Sequence, residues 1–396
     1  MDRRQRLAIL TEAAVLDRDA RVVAPARVGN QVGITGVRLP GGGHTTLMRV
    51  MQTNACSLSC GYCPTFCGGK VKRATLSPDE AATTFMEAQR KGLVQGLFLT
   101  SGVPGRPTRA TDRMLATLEI LRRREGFRGY VHIKLLPGAE RAQVEEAARL
   151  ASRISVNLEA PSDTHVQALA KEKDLSGDLL PKLELAGSLL RERGATAGTT
   201  TQFVVGAAGE RDREILGLVA RLERRQLLHH AHFSAFQPVV GTPMEGREAT
   251  PAVRELRLYQ AEHLMRRYGF ACEELPFDAD GDLPLDDDPK TAWALAHPER
   301  FPVEIQTAPY EMLLRVPGIG PATARSLVTE RQGSLIRDAR DLELAGVDAL
   351  RAGYFLTLRG RRLATRLPAR QMRLFPHGKH LTQAVWKTAT PPCAYR

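Results

Sequence analysis

No stretch of this 396-residue sequence approaches the roughly 20 apolar residues that a membrane-spanning helix needs. The first residues do not read as a secretory signal either. The segment MDRRQRLAILTEAAVL has charges on both sides of a short apolar stripe and no small-residue cleavage site, so it reads as an amphipathic helix. The expectation is a soluble, cytoplasmic protein without a membrane partner. Cysteines scattered as in a disulfide scaffold are also absent: four of the six fall between Cys56 and Cys67. Such clustering points to a metal site in a reducing compartment. The stretch Glu273–Asp288 has eight carboxylates but no EF-hand spacing, which sets calcium aside. Acidic side chains are missing altogether from Arg351 to Arg396, where ten basic ones stand.

That last absence organises the charge. Of a net +12, residues 313–396 carry +10, from 15 Lys and Arg against 5 Asp and Glu. A basic concentration of this kind is an electrostatic footprint for a polyanion, nucleic acid first of all. A solvated basic tail is the plain alternative.

Between Thr45 and Phe236, short β-rich runs alternate with helical patterns. The strands are read at Thr45–Gln52, Gly96–Thr100, Tyr130–Leu135, Arg153–Leu158, Thr200–Val205 and His230–Phe236. Ser77-Pro78-Asp79-Glu80 is a capping box with proline at the first helical position, opening the first connecting helix. Six strand–helix units argue for α/β architecture with a parallel sheet. The expected division is an N-terminal extension (1–44), the α/β domain (45–270), an acidic connecting segment (271–292), a small all-α region (293–360) and a flexible basic tail (361–396).

Cys56-Ser-Leu-Ser-Cys60-Gly-Tyr-Cys63 is a C-x3-C-x2-C motif on the loop after the first strand. Three close thiolates can occupy three corners of a [4Fe–4S] cube, leaving the fourth iron for a small molecule. A cramped four-cysteine zinc site with Cys67 is the rival reading. His229, His230 and His232 form a second metal candidate. His132 and Lys134 alternate with apolar residues on the third strand and are the candidates for a catalytic role, a satisfied core histidine being the plainer reading of His132.

The cysteine spacing resembles that of the radical S-adenosylmethionine (SAM) superfamily, and the six units match its partial (β/α)6 barrel. The resemblance implies a [4Fe–4S] cluster on Cys56, Cys60 and Cys63, bound SAM, and an electron donor. Reductive cleavage of SAM would yield a 5′-deoxyadenosyl radical, the cofactor carrying the hard chemistry. The resemblance also places SAM contacts at Tyr62, Ser101, Gly102, Asn157, Glu159, Gln202, Gly206 and Gln237. The family's glutamate after the second strand is absent here, which leaves the Ser101 hydroxyl and the Gly102 backbone in its place.

Leu313–Val328, with Val-Pro-Gly318-Ile-Gly320 between two helical runs, resembles a helix-hairpin-helix. Its glycines permit positive φ, and its exposed amides with the second helix's N-terminus would cradle a phosphate. Arg315, Gly318, Gly320, Thr323 and Arg325 are the implied nucleic-acid contacts. Together with GLFLTSG (96–102), GYVHIK (129–134) and FPVEI (301–305), this segment is similar to one group within the superfamily. That group comprises DNA modification or repair radical SAM proteins genomically linked to a uracil-DNA glycosylase-like protein. The likeness spans residues 45–360 and departs at Pro64–Lys70. Further on, Gln371, Leu374 and Phe375 fit the Q-x-x-L-F pattern of peptides that dock on a sliding clamp. The leading expectation is a radical SAM enzyme acting on DNA. An RNA-modifying enzyme and a non-catalytic iron–sulfur DNA-binding or interaction protein in a repair complex are the alternatives.

Overall fold

A computed structural model describes residues 1–15, 33–38, 44–333 and 336–367. Two compact units divide the described residues: those of Met1–Glu210 with Arg221–Thr250, and Arg211–Ala220 with those of 251–367. In chain order the first unit contains α1 (Arg3–Val15), β1 (Ile34–Arg38), β2 (His44–Met51), α2 (Pro78–Arg90), β3 (Gly96–Thr100), α3 (Pro107–Glu119), β4 (Tyr130–Lys134), α4 (Arg141–Leu150), β5 (Arg153–Ser155), α5 (Asp163–Leu169), α6 (Leu180–Glu192) and β6 (Thr199–Val205). Helix α7 (Asp212–Arg224) is divided between the units, and β7 (His230–Ala235) completes the sheet of the first.

Strands β2 to β7 are parallel and neighbour one another in chain order, so each strand–helix unit adds one strand to the same growing edge. The sheet curls into a half-barrel. Strand β1 pairs antiparallel with β2. The alternation in β4 explains the curl's two faces: Val131 and Ile133 are fully buried, whereas Tyr130, His132 and Lys134 are half-buried. The same holds in β7, where Ala231 and Phe233 are fully buried between half-buried His230, His232 and Ser234. A period of two therefore sends apolar side chains to one face and polar ones to the other. Helix α2 begins as its capping box dictates, with Ser77 accepting from the Glu80 amide and Glu80 accepting from the Ser77 amide. Arg6 on α1 bonds both the Glu80 carboxylate and the Thr75 carbonyl.

The second unit contains α8 (Ala252–Tyr268), α9 (Pro289–Ala296), β8 (Val303–Glu304), α10 (Tyr310–Arg315), α11 (Pro321–Glu330), α12 (Ala339–Leu344), α13 (Ala349–Ala352), β9 (Leu356–Leu358) and β10 (Arg361–Arg362). The expectation of a purely helical C-terminal region is corrected here. Strand β9 pairs parallel with β8 and antiparallel with β10, and Arg359 and Gly360 both take positive φ in the two-residue turn between β9 and β10. Strands of two or three residues are too short to show a period. The acidic stretch spends its carboxylates internally: Asp282 bonds Arg211 and Arg254, while Leu275 and Leu283 are buried. Trp293, 1% exposed, anchors the core with Phe270, Phe301 and His297 around it.

Candidate iron–sulfur and cofactor site

The cysteine loop leaves β2 and is fixed at both ends by the backbone around it. The Gln52 amide donates to the Thr100 carbonyl (2.7 Å), tying the end of β2 to the end of β3. Ser57 N donates to Val103 O (2.8 Å), and Gly61 N donates to Leu169 O (2.8 Å). Inside the loop, Cys63 N bonds Cys60 O (3.1 Å) and Cys67 N bonds Leu58 O (2.9 Å). The Arg73 guanidinium donates to four carbonyls, of Asn54, Thr65, Phe66 and Gly69. That fan replaces the missing secondary structure of an irregular segment whose carbonyls would otherwise lack partners. Glu172 accepts from both the amide and the hydroxyl of Ser59.

Cys60 is buried, Cys56 and Cys63 are half-buried, and Cys67 is exposed. Burial pushes the Cys60 thiol up to about 11, with Lys173 pulling the other way. Burial also raises Cys63, against hydrogen bonds with Thr65 that favour its thiolate. The thiols of Cys56 and Cys63 both bear on Cys60 electrostatically, so the three lie in one neighbourhood. Among the described residues no three His, Cys, Asp or Glu side chains are arranged to share one metal ion. His229, His230 and His232 accordingly form no such site; the rings of His230 and His232 meet edge to face at 4.7 Å. A zinc ion needs all its thiolates around a single point, whereas the thiolates of a cubane each bind a separate iron. Three thiols on one loop and in one electrostatic neighbourhood are the donor set that a cluster with one open iron takes.

Lys173 Nζ bonds Glu159 Oε1 (2.8 Å) and reaches the Tyr62 hydroxyl (3.4 Å). Glu159 takes a positive φ of 65°, and its backbone bridges to β6 through Gln202 O and the Val204 amide. Ser101 and Gly102 follow β3. Ser101 donates its hydroxyl to the Gly102 carbonyl (2.7 Å), and Gly102 N bonds Thr53 O (2.7 Å). A Cβ on Gly102 would stand 2.3 Å from the Ala55 carbonyl oxygen, so only glycine lets this turn lie against the cysteine loop. The Val103 amide, next in line, points at Cys56 Sγ (3.5 Å).

Across the sheet, Asn157 Nδ2 donates to Gln202 Oε1 (3.3 Å) and Gln202 Nε2 donates to Ser234 Oγ (3.2 Å), a chain of amides over three strands. Gly206 has φ +87°, and a Cβ there would collide with Thr250. Gln237 donates to the Thr250 carbonyl (3.1 Å). His132 and Lys134 line a cavity on the polar side of the sheet. Burial holds His132 well below the usual histidine range, reinforced by Arg153, Arg49, His232 and Lys134.

The proposed nucleic-acid residues separate into two groups. Arg315 turns inward: its guanidinium lies 3.7 Å from the Phe270 ring centroid and bonds Glu274 (3.1 Å) and the carbonyls of Tyr268 and Gly269. Gly318 has φ +82°, Ile319 is 1% exposed, and Lys290 Nζ caps the Ile319 carbonyl (2.6 Å). Gly320 precedes α11; Thr323 donates to the Gly346 carbonyl, and Arg325 is exposed. Gln371, Leu374 and Phe375 lie outside the described residues.

Sequence reasoning missed Arg73, Glu172 and Lys173. Lys171-Glu172-Lys173 reads as a solvated charge run, and nothing in its spacing announces that Lys173 is 7% exposed.

Residues 50–222 match the Radical SAM superfamily, an enzyme class, and this part of the chain is a radical SAM domain. Members of the superfamily use a [4Fe–4S] cluster and SAM. Solved structures similar to the chain include HydG, a maturase of the [FeFe]-hydrogenase, at 12% identity and a TM-score of 0.44, covering 55% of this chain and 49% of that one. The HydG of Carboxydothermus hydrogenoformans is similar at 14% identity and a TM-score of 0.44, covering 55% and 51%. Methylornithine synthase (PylB) follows at 16% and 0.42, covering 63% and 67%. The chain spans about half the length of the two maturase chains. None of the curated proteins matches the sequence.

Proposed function

We propose that this enzyme directs a 5′-deoxyadenosyl radical at DNA, repairing or modifying a base or sugar. When bound, the cluster supplies the electron that cleaves SAM to methionine and the radical. The chain's own residues do the rest. Cys56, Cys60 and Cys63 would hold the irons, and Gly102 keeps the β3 turn against the cysteine loop. The amide chain Asn157–Gln202–Ser234 and the buried Glu159 offer polar groups along the sheet's edge to orient SAM.

The observation that carries the DNA reading is the turn at 316–320. Buried Ile319 pins it, Gly318 supplies the positive φ, and α11 starts directly after it with Ala322 and Arg325 exposed. Because Arg315 is spent inside the unit, phosphate contact would rest on the turn's backbone and on Arg325. The basic surplus of residues 313–396 supports the same partner by neutralising phosphates. A target base in a duplex would leave the stack to reach the half-barrel. In this reading Gln371, Leu374 and Phe375 dock on a sliding clamp, and a uracil-DNA glycosylase-like protein works on the same substrate.

The test is 5′-deoxyadenosine formation by the reduced, reconstituted protein with SAM, in the presence of duplex DNA, single-stranded DNA, RNA or no polymer. Stimulation by DNA with a modified nucleotide in the product is the expected result. Stimulation by RNA alone would move the substrate to RNA, and cluster and DNA binding without any deoxyadenosine would leave a non-catalytic protein.

A further inference from the structure

A cavity of about 30 Å³ opens on the polar side of the half-barrel. Side chains from β2 to β7 line it, among them Arg49, His132, Ser155, Thr200 and His232. Four polar atoms there are buried without a hydrogen-bond partner among the described residues: Arg49 Nε, His132 Nε2, Ser155 Oγ and Thr200 Oγ1. Ser155 is 5% exposed and Thr200 is fully buried. A folded chain satisfies its buried polar groups, so four orphans around one cavity mark a place where a partner is missing.

The chemistry of the four names the partner. Arg49 Nε donates, each hydroxyl has an O–H to donate, and His132 Nε2 donates in one tautomer. No carboxylate lines the cavity among the described residues, while Arg49 and Lys134 both do. Arg153, on the same side of β5, adds to the positive field felt at His132. Donors around one small positive cavity suit an oxyanion, and donors from four different strands suit a tetrahedral one with several acceptor oxygens.

We propose that this cavity is a subsite for a phosphate group carried by the substrate, gripped by Arg49, Ser155 and Thr200. It shares no residue with the cysteine loop and borders the amide chain assigned to SAM through Asn157 and Gln202, while Arg49, Ser155 and Thr200 are left for the molecule the radical attacks. The proposal deepens the reading of a nucleotide-containing substrate and rests on it, but binding can be measured without turnover.

The experiment titrates the cluster-loaded full-length protein with inorganic phosphate, a deoxynucleoside 5′-monophosphate, the matching nucleoside and acetate, reading heat of binding and thermal midpoint. Phosphate and the monophosphate are expected to bind and raise the midpoint, with the nucleoside and acetate at least tenfold weaker. Arg49→Met and Thr200→Val are each expected to weaken phosphate binding tenfold or more, with the iron–sulfur absorbance of the variant as the check on folding. Should Arg49→Met fail to fold, the isosteric Thr200→Val decides. An absence of phosphate binding to the wild type would mean that the cavity holds water only and overturns the proposal. Equal binding of acetate, or undiminished binding in Thr200→Val, overturns it as well. DNA-stimulated deoxyadenosine formation alongside any of these results would leave the DNA reading standing without the subsite.

Discussion

Lys173 Nζ lies 2.8 Å from Glu159 Oε1, and their side chains are 8% and 4% exposed. The pair stands beside Cys60 and the Tyr62 hydroxyl, so the cysteine loop rests on a buried ion pair. Glu159 holds a positive φ to reach its place, a backbone state that costs a non-glycine residue about 1–3 kcal/mol and persists where the surroundings over-determine it.

Breaking this pair is more damaging than deleting it. Lys173→Met leaves a buried carboxylate without its counter-charge and is expected to cost about 3–5 kcal/mol of stability. Adding Glu159→Leu to Lys173→Met recovers part of that loss. Urea unfolding of the cluster-free wild type, single and double variants measures it; a double variant less stable than Lys173→Met would remove the ion-pair account.

The cysteines divide three to one. Alanine at Cys56, Cys60 or Cys63 is expected to abolish the iron–sulfur absorbance and SAM cleavage. Cys67→Ala keeps both, because its thiol is exposed at the edge of the loop. Iron and sulfide analysis after reconstitution checks this, and loss of the cluster in Cys67→Ala would make it a ligand.

Two arginines that look alike in the sequence should behave differently. Arg315→Ala removes a stacked, hydrogen-bonded side chain 14% exposed and is expected to destabilise the second unit by about 2–4 kcal/mol. Arg325→Ala is expected to change stability by no more than about 0.5 kcal/mol. It should weaken DNA binding and flatten its salt dependence by about one unit of slope. Thermal melts and binding isotherms at several salt concentrations separate the two, and unaltered DNA affinity in Arg325→Ala would count against the α11 contact.

Asp288 gives the second unit an acid-sensitive contact. Burial alone would push its carboxyl up, but Arg351 at 2.6 Å and hydrogen bonds from Thr291 outweigh burial and hold it below the usual range. A depressed carboxyl stabilises the fold above its unfolded value of about 3.9, and that contribution is lost as pH falls through the lower folded value. Asp288→Asn keeps a helix-capping side chain and removes only the charge. The wild type should therefore exceed this variant by about 1 kcal/mol at neutral pH, the gap closing below about pH 4. A gap that persists unchanged in acid would show that the charge is not its source.

Much of the first unit was legible in the residue order because its signals are local. The C-x3-C-x2-C spacing, the Ser77–Glu80 capping box and the period-two alternation of YVHIK and HAHFSA each act over a few residues. They place a thiol loop after a strand and a polar face beside an apolar one before any long-range contact forms. The turn at Val-Pro-Gly-Ile-Gly is of the same kind.

What the residue order could not reveal depends on partners far apart in the chain. Lys173 meets Tyr62 across 111 positions, and Arg73 serves four carbonyls that no pattern marks as unsatisfied. Arg315 sits in a segment that looks like a phosphate clamp, yet Phe270, Trp293 and Glu274 claim its guanidinium. The sequence by itself determined where the closely spaced thiols of the cysteine loop are and which strand faces are polar, since both follow from spacing along one element. Only the tertiary structure decided which charges are buried and which stay in water, because that depends on what packing brings alongside them.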